Sequence, residues 1–528
     1  MIKLVALILC VLFVFTLING SINSGENVET LTKITQEQEK QNNSFNLEKI
    51  KESIRNRKKI FKIDQISSNH TLIREALIER GYVESKASRG FNIKWSWCWE
   101  MLGVTNKNQI VNHFINHDEI GSKSGLTKNM NKLYQNGNEQ LKDEISQIFP
   151  RSYILSNPLE KKAFIKDFNR IKDGIINNNN KNNEKLVGVS NDEILLNSDN
   201  NFIDSIITTK TNDIKKQQKN LEKKEEGDEL LIYPIQKHID GNKNIWICKP
   251  NANARGVGIR IFDDLNLLLE YASQGNDEFI VQKYIESPYT IENTKFDIRQ
   301  FVLVKSLNPL VIFKLKECYL RFCSIEYSND DLNDRFVHLS NYQVQKDFSK
   351  EKNKWSKVSN QWSLSQFKDY LSSDETSKKN NNTQWDNVLN EKIKKLIITT
   401  IKSWPRNGQN KGSFELLGFD ILLNDQLEPM LLEVNTNPGL HLLTDNVKVH
   451  HKIAVDDLFK VVLDNQELWY NENNKDDNNQ NWIKNLTQDQ QIQYFGQWEP
   501  IYVDDFDKSI DHLSIAKPKA TKKVEKPN

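Results

Sequence analysis

Apolar positions along this chain recur with two different periods. Thr71-Leu-Ile-Arg-Glu-Ala-Leu-Ile-Glu-Arg80 repeats at helical spacing and stops at Gly81, which predicts a helix. Val388, Leu389, Ile393, Leu396 and Ile397 predict a second helix over 386–403. Shorter runs read as strands. Phe301-Val-Leu-Val304, Asp420-Ile-Leu-Leu423 and Met430-Leu-Leu432 have the look of core strands, and Phe279-Ile-Val-Gln282 turns polar at its end. Ile245-Trp-Ile-Cys-Lys249-Pro250 reads as a strand ending in a lysine, and Trp95, Trp97 and Trp99 alternate as in a strand with large residues on one face. Strands alternate with short helices over 231–345, and a hairpin followed by a helix is expected over 412–465.

Polar stretches divide these regions. The apolar run Leu4 to Ile18 follows Lys3 and precedes Asn19-Gly20-Ser21, so 1–21 reads as a signal-like segment, short for a membrane span. A false translation start or an uncleaved anchor would look the same. Residues 22–65 form a polar linker, 66–165 an N-terminal domain, and 166–230, with its asparagine runs, a low-complexity insertion expected as a mobile loop. Then follow a central domain over 231–345, a polar loop over 346–385, a C-terminal domain over 386–500 and a basic tail over 501–528. The tail carries Lys517, Lys519, Lys522, Lys523 and Lys526, and could bind an acidic partner or merely solubilise.

A chain of 528 residues can hold two or three domains with substantial cores. Its formal net charge is +1, which gives no global case for nucleic-acid binding. None of the five cysteines has zinc-ligand spacing, and they read as reduced, mostly buried thiols.

Charge interrupts the apolar strands in two places. In Lys295-Phe-Asp297-Ile-Arg299 the three charges share a face, as do Glu433 and Asn435 in Leu432-Glu433-Val-Asn435. If Asn424-Asp-Gln-Leu-Glu-Pro429 closes a regular hairpin between Leu423 and Met430, Asp420 lies opposite Glu433. Asp420, Glu433 and Asn435 would then converge as oxygen ligands suited to Mg²⁺. Either segment alone is more often a solvated sheet face. Together, charges at the rims of core strands are costly unless paired or metal-bound, which favours a site.

Other segments offer weaker signals. Asn-Ala-Asn-Ala-Arg255-Gly256-Val-Gly258 follows Lys249, and two glycines two apart let backbone N–H groups approach an anion. The loop lacks the Walker A ending and could be only a turn. Gln282-Lys283-Tyr284-Ile285 could wall a nucleotide pocket or be plain core. Arg321, in Tyr319-Leu-Arg-Phe322, could clamp a phosphate or carboxylate, or form a structural ion pair. His338-Leu-Ser340-Asn341 places small polar groups that could meet phosphate, with His338 itself more often structural.

In this order the motifs resemble the tubulin tyrosine ligase-like family, within the ATP-grasp fold, over roughly 66–165 and 231–465. Within it the chain is similar to the tubulin glycylase branch. The similarity lies in Ile73-Arg-Glu-Ala-Leu-Ile-Glu-Arg-Gly-Tyr-Val-Glu84, Val111-Asn-His113-Phe, Thr127-Lys-Asn-Met130, Phe149-Pro-Arg-Ser-Tyr153, Asn308-Pro309 and Gln300, a glutamine that glutamylases usually lack. Phe301 stands where that branch commonly has Trp, Ser340 where Cys or Thr is usual, and the insertion is atypical.

The resemblance implies an α+β chain with an N-terminal α/β domain and a nucleotide held between the central and C-terminal domains. It implies ATP and Mg²⁺, free glycine, and tubulin C-terminal tails and microtubules as partners. An acylphosphate would form on a tail glutamate and be attacked by the amine of glycine; a polyglutamylase on the same fold is the alternative. By position, Asp420, Glu433 and Asn435 would hold Mg²⁺. Lys249, Arg255, Gly256, Lys295 and Asp297 would contact ATP, with Gln282, Lys283, Tyr284 and Ile285 at adenine and Ser340 and Asn341 near the phosphates. Arg299 and Arg321 would bind the acylphosphate or the incoming amino acid. A monomer in the cytoplasm, on the cytoskeleton and ciliary axoneme is expected, or a secretory-pathway ligase on a non-tubulin protein if 1–21 is a true signal.

Overall fold

The computed structural model describes residues 59–64, 70–85, 90–97, 109–187, 236–274, 277–352, 361–373, 384–406, 412–440, 445–465 and 483–504. The signal-like segment, the polar linker up to Lys58 and the lysines of the tail lie outside these, as do residues 188–235 of the insertion. From Phe61 onward, less Gly81–Val83, the chain forms the compact unit that carries all that follows. It is α+β, built on three sheets that follow one another along the sequence.

The first sheet holds β1 (Ile60–Ile63), β2 (Ile93–Trp95) and β3 (Ile110–Val111), paired in parallel. The helix Thr71–Glu79 ends just before Gly81, as its pattern predicts, and buries Leu72, Ile73, Ala76 and Leu77. The tryptophan alternation does not extend a strand. Trp95 ends β2 and is buried, Trp97 is 44% exposed, and Trp99 lies outside the described residues.

The second sheet has the order β4 (Ser152–Ile154), β7 (Phe279–Lys283), β5 (Trp246–Pro250), β6 (Arg260–Phe262), all antiparallel. Its core gathers Tyr153, Phe164, Phe168, Trp246, Leu268 and Val281. The helix Pro158–Val187 packs here, so the first part of the low-complexity segment is helical rather than a loop. Arg151 donates to Asp167 and Asp240, and Arg170 bridges the same two carboxylates, tying the helix to residue 240 beyond the insertion.

The third sheet, of seven strands, runs β11 (Gln361–Ser363), β10 (Leu310–Glu326), β9 (Thr294–Leu307), β12 (Glu415–Leu423), β13 (Pro429–Asn435). The short β8 (Thr290–Ile291) pairs with β9, and β14 (Trp498–Val503) pairs with β10. Alternation sorts its residues. Ile298, Val302, Val304, Leu320, Leu417, Phe419 and Ile421 join the main core, with Leu396, Ile397 and Ile401 of the helix Asn390–Ser403. The opposite face carries Asp297, Arg299, Arg321 and Asp420.

Two expectations need correction. The region 346–385 is not a plain loop: it contains β11 and the helix Leu364–Ser372, opened by a Ser363/Gln366 capping box and burying Leu364, Phe367 and Leu371. Three apolar residues at helical spacing suffice to dock it, and the surrounding Lys, Ser and Asn mask them in any average. The tail begins after Asp504, because β14 takes up residues 501–503.

The first sheet is fastened to β12 through a buried ion pair. Val111 bridges to Ser413, and Phe114 N donates to Glu415 Oε2 at 2.9 Å. His113 Nδ1 lies 2.6 Å from Glu415 Oε1, and Nε2 lies 2.9 Å from the Ser96 carbonyl oxygen. Both oxygens favour the imidazolium, while the Asn112 amide nitrogen, a donor, lies 3.2 Å from Nε2. Burial works against that charge, but the charge and hydrogen bond of Glu415 outweigh it and raise the pKa. His117, stacked on His113 at 4.7 Å, is the neighbouring titratable group. A histidine pKa raised by folding contributes stability fully below the unfolded value of about 6.5, lost as pH rises through the folded value. The melting temperature is therefore expected to fall over that rise, and Glu415→Gln to flatten the fall. A pH profile of melting that is identical in the variant would refute the charged pair.

Candidate active site

Asp420 lies opposite Glu433, yet not through the regular hairpin expected. Asn424 N donates to the Glu428 carbonyl at 3.1 Å, and Asn424 Oδ1 accepts from the backbone of Gln426 and Glu428. This side-chain turn closes the loop one residue tighter than expected, so Leu423 pairs with Pro429 rather than Met430. A register shift between Ile421 and Asp420 then restores the Asp420–Glu433 pair. Leu432 is the extra residue of that β-bulge, and its carbonyl accepts from Lys249 Nζ at 3.4 Å.

Around Asp420 the charges interlock. Arg299 Nε donates to Asp420 Oδ1 at 2.6 Å. Arg321 donates from Nε and Nη2 to the two oxygens of Asp297, at 2.7 and 2.6 Å, and Nη2 is also 2.8 Å from Asp420 Oδ2. Ser340 Oγ donates to Asp297 Oδ2 at 2.7 Å. All of these residues are buried. Burial alone would raise the Asp420 pKa, but Arg299 and Arg321 hold it well below the usual carboxylate range. Glu433 goes the other way, raised by burial and by the charge of Asp420.

Asn435 Nδ2 lies 3.4 Å from both Asp420 Oδ2 and Glu433 Oε1. The predicted ligand set therefore meets at one point, and reversing the amide would turn its oxygen there. Asp420 is buried and Glu433 half-buried; two carboxylates this close favour a cation between them, and with an amide they suit Mg²⁺, which leaves positions for water and phosphate. Among the described residues no group of three or more His, Cys, Asp and Glu side chains forms a metal centre, so the set depends on Asn435.

Two lysines approach from the second and third sheets. Lys249 Nζ donates to Gln282 Oε1 at 2.7 Å, and Gln282 Nε2 donates to Ser152 Oγ at 3.0 Å. Lys295 Nζ donates to Tyr284 OH at 2.9 Å and to the His338 carbonyl at 3.0 Å. Each ammonium is lowered to about 8, chiefly by burial; for Lys249 the neighbouring Lys123 and Lys295 add to the lowering while Glu433 opposes it. His338 Nδ1 faces Tyr284 OH, and burial with Lys295 nearby lowers its pKa to about 4, which keeps it neutral.

The remaining predicted residues divide. Ile285 packs with Ile239, Leu422, Met430 and Leu432, an apolar patch beside Lys249. Arg255 and Gly256 both have left-handed backbone, and a Cβ on Gly256 would lie 3.2 Å from Asn341 Oδ1, so this loop runs directly over Asn341. Arg255 is exposed. Lys283 points the other way: its ammonium donates to Glu286 and to the Ile245 and Tyr284 carbonyls, so it adds no charge on the Lys249 side. Gln300 lies on the core face, where Nε2 donates to the Phe301 and Leu315 carbonyls, so it touches none of the site residues.

Lys123 was missed. Its Nζ donates to the Asn253 carbonyl in the glycine loop at 2.7 Å, and its pKa is lowered by burial and raised by Glu433. It opens the helix Lys123–Asn136, and a lone lysine after Ser122 carries no sequence signal. Gly121 lets this segment close on β13: a Cβ there would meet Thr436 Cγ2 at 2.5 Å. Tyr319 shares the face of Arg321 by strand alternation.

Residues 169–468 match the tubulin-tyrosine ligase family. Tubulin glycylase 3B of Tetrahymena thermophila is 27% identical over 513 residues, covering 76% of this chain and 42% of that protein. Tubulin glycylase 3B of Drosophila melanogaster is 36% identical over 229 residues, or 43% of this chain and 30% of that one. Human protein monoglycylase TTLL8 is 36% identical over 237 residues, 43% and 27% respectively. The chain thus spans less than half the length of each of these relatives. With its family match running over more than half its length and through the site just described except Gly121, Lys123 and Ser152, this chain belongs to the tubulin-tyrosine ligase family.

Proposed function

We propose that the chain is an ATP-dependent carboxylate–amine ligase that joins glycine to glutamate γ-carboxylates in tubulin C-terminal tails. The observation that carries this reading is the convergence of Asp420, Glu433 and Asn435 with two buried lysines and two buried arginines in one interior. The relatives named as glycylases support the choice of amino acid and acceptor. The arrangement is that of an ATP-grasp enzyme, with nucleotide between the β4–β7 sheet and the seven-stranded sheet. The enzyme works as a monomer on microtubules of the cytoskeleton and cilium and has no nucleic-acid partner.

In this reading Asp420, Glu433 and Asn435 hold Mg²⁺, which when bound neutralises phosphate charge during phosphoryl transfer. Lys249 and Lys295 bind the nucleotide phosphates, Lys249 being oriented by Gln282 and Ser152. The Ile285–Leu422–Leu432 patch offers adenine an apolar wall. Arg299 and Arg321 orient the activated γ-carboxyl and the incoming amine and offset the charge that develops there. The amine nitrogen forms a bond to the γ-carbonyl carbon as the carbon–oxygen bond to phosphate breaks. Phosphate leaves with the electron pair, and the amine loses a proton to solvent.

The test is incubation of the chain with tubulin, Mg-ATP and radiolabelled glycine or glutamate in parallel. Glycine incorporation that disappears in Glu433→Ala is the expected result. Incorporation of glutamate alone would overturn the choice of amino acid and keep the ligase, and incorporation of neither would overturn the reading.

A further inference from the structure

The charged face of the third sheet ends in an aromatic wall. Phe301 follows Arg299 on the same face, Tyr319 lies directly across from Arg299, and Gly418 pairs with Phe301. His451, from the helix Asp445–Phe459, covers this end, with its ring centroid 5.5 Å from Phe301 and 5.9 Å from Tyr319. All three rings are buried, His451 completely. Gly418 forms the floor: a Cβ there would stand 3.3 Å from Arg299 Nη1 and 2.9 Å from Pro438 Cβ. The Arg299 side chain therefore passes directly over Gly418.

Tyr319 is the member of the wall that reaches the charges. Burial raises its pKa, while Arg299 and Arg321 act on it in the opposite sense. Protein interiors leave few voids larger than a water molecule, so a ring backed by two others does not yield easily to a substituent.

We propose that Tyr319, backed by Phe301 and His451, sets the amino-acid preference of the ligase by closing the space beside Arg299 to any α-carbon that bears a side chain. This rests on the reading of Arg299 as the group that receives the incoming amino acid. The wall accepts glycine because its α-carbon carries only hydrogen. It also places the discrimination away from Gln300, which faces the core.

The full chain and its Tyr319→Ala variant are to be compared with tubulin, Mg-ATP and a mixture of glycine and alanine carrying different isotopes. The glycine-to-alanine ratio of kcat/KM is expected to fall about tenfold or more in Tyr319→Ala, the scale at which one methyl group is discriminated. Tyr319→Phe is expected to keep the ratio, because the ring and not the hydroxyl excludes. Should Tyr319→Ala fail to melt cooperatively, His451→Ala removes the backing and carries the same test. An unchanged ratio in a folded variant that still adds glycine overturns this assignment alone. A wild-type chain that adds glutamate and not glycine overturns it together with the glycine reading.

Discussion

Glu433→Gln is expected to lower ATP-dependent incorporation at least about a hundredfold while leaving the metal-free protein as stable as before, or more so. The carboxylate stands half-buried beside Asp420, and its pKa is raised by desolvation and by that neighbour. A carboxyl raised on folding costs stability once pH exceeds the unfolded value of about 4.3, because the folded chain then holds the proton more tightly than the unfolded one. The amide removes that cost and keeps the shape. It also removes the charge that would draw Mg²⁺. Wild type should gain melting temperature on adding Mg-ATP, through binding to the folded state, and the variant should gain much less. A variant that keeps either its activity or its full Mg-ATP shift would show that Glu433 is not a ligand.

Arg321→Leu is expected to cost stability outright, by about 3–5 kcal/mol, along with activity. The guanidinium spans Asp297 and Asp420 with contacts of 2.6 to 2.8 Å and is 6% exposed. Its removal leaves two buried carboxylates without their shared counter-charge. Lysine is a poor substitute, since one ammonium cannot reproduce two parallel bonds to Asp297 and still reach Asp420. The double variant Arg321→Leu, Asp297→Leu should recover much of the lost stability and none of the activity, because apolar replacement of a buried pair is often close to neutral. Urea unfolding of the single and double variants beside wild type measures this, and a single-variant loss below about 1 kcal/mol would mean that the pair is solvated.

The charged strand faces were legible because alternation is a strong constraint wherever the other face is core. Lys295, Asp297 and Arg299 are all buried on one side of β9, and Ile298 and Val302 are in the core on the other. What escaped were contacts made across long sequence separations by single residues. Lys123 reaches the glycine loop from 130 positions away, and no local pattern foretells that. Lys283 was misplaced for a simpler reason. It neighbours Gln282 in a strand, so the two side chains must take opposite faces. The helix Leu364–Ser372 was hidden by composition, since three buried apolar residues were diluted by polar neighbours.

The bulge at Leu432 makes this hairpin a ruler. With the ladder regular from Ile421–Leu431 onward, a leucine would face Asp420 and Glu433 would turn into the core. One surplus residue reverses that outcome, and it also frees the Leu432 carbonyl for Lys249. The segment from Asp420 to Glu433 therefore tolerates exchanges of side chain far better than changes of length. Losing or gaining a single residue there shifts the strand out of frame, much as a one-base gap does to a coding sequence. Drift in this lineage should accordingly write itself into the hairpin as substitutions and leave its residue count fixed.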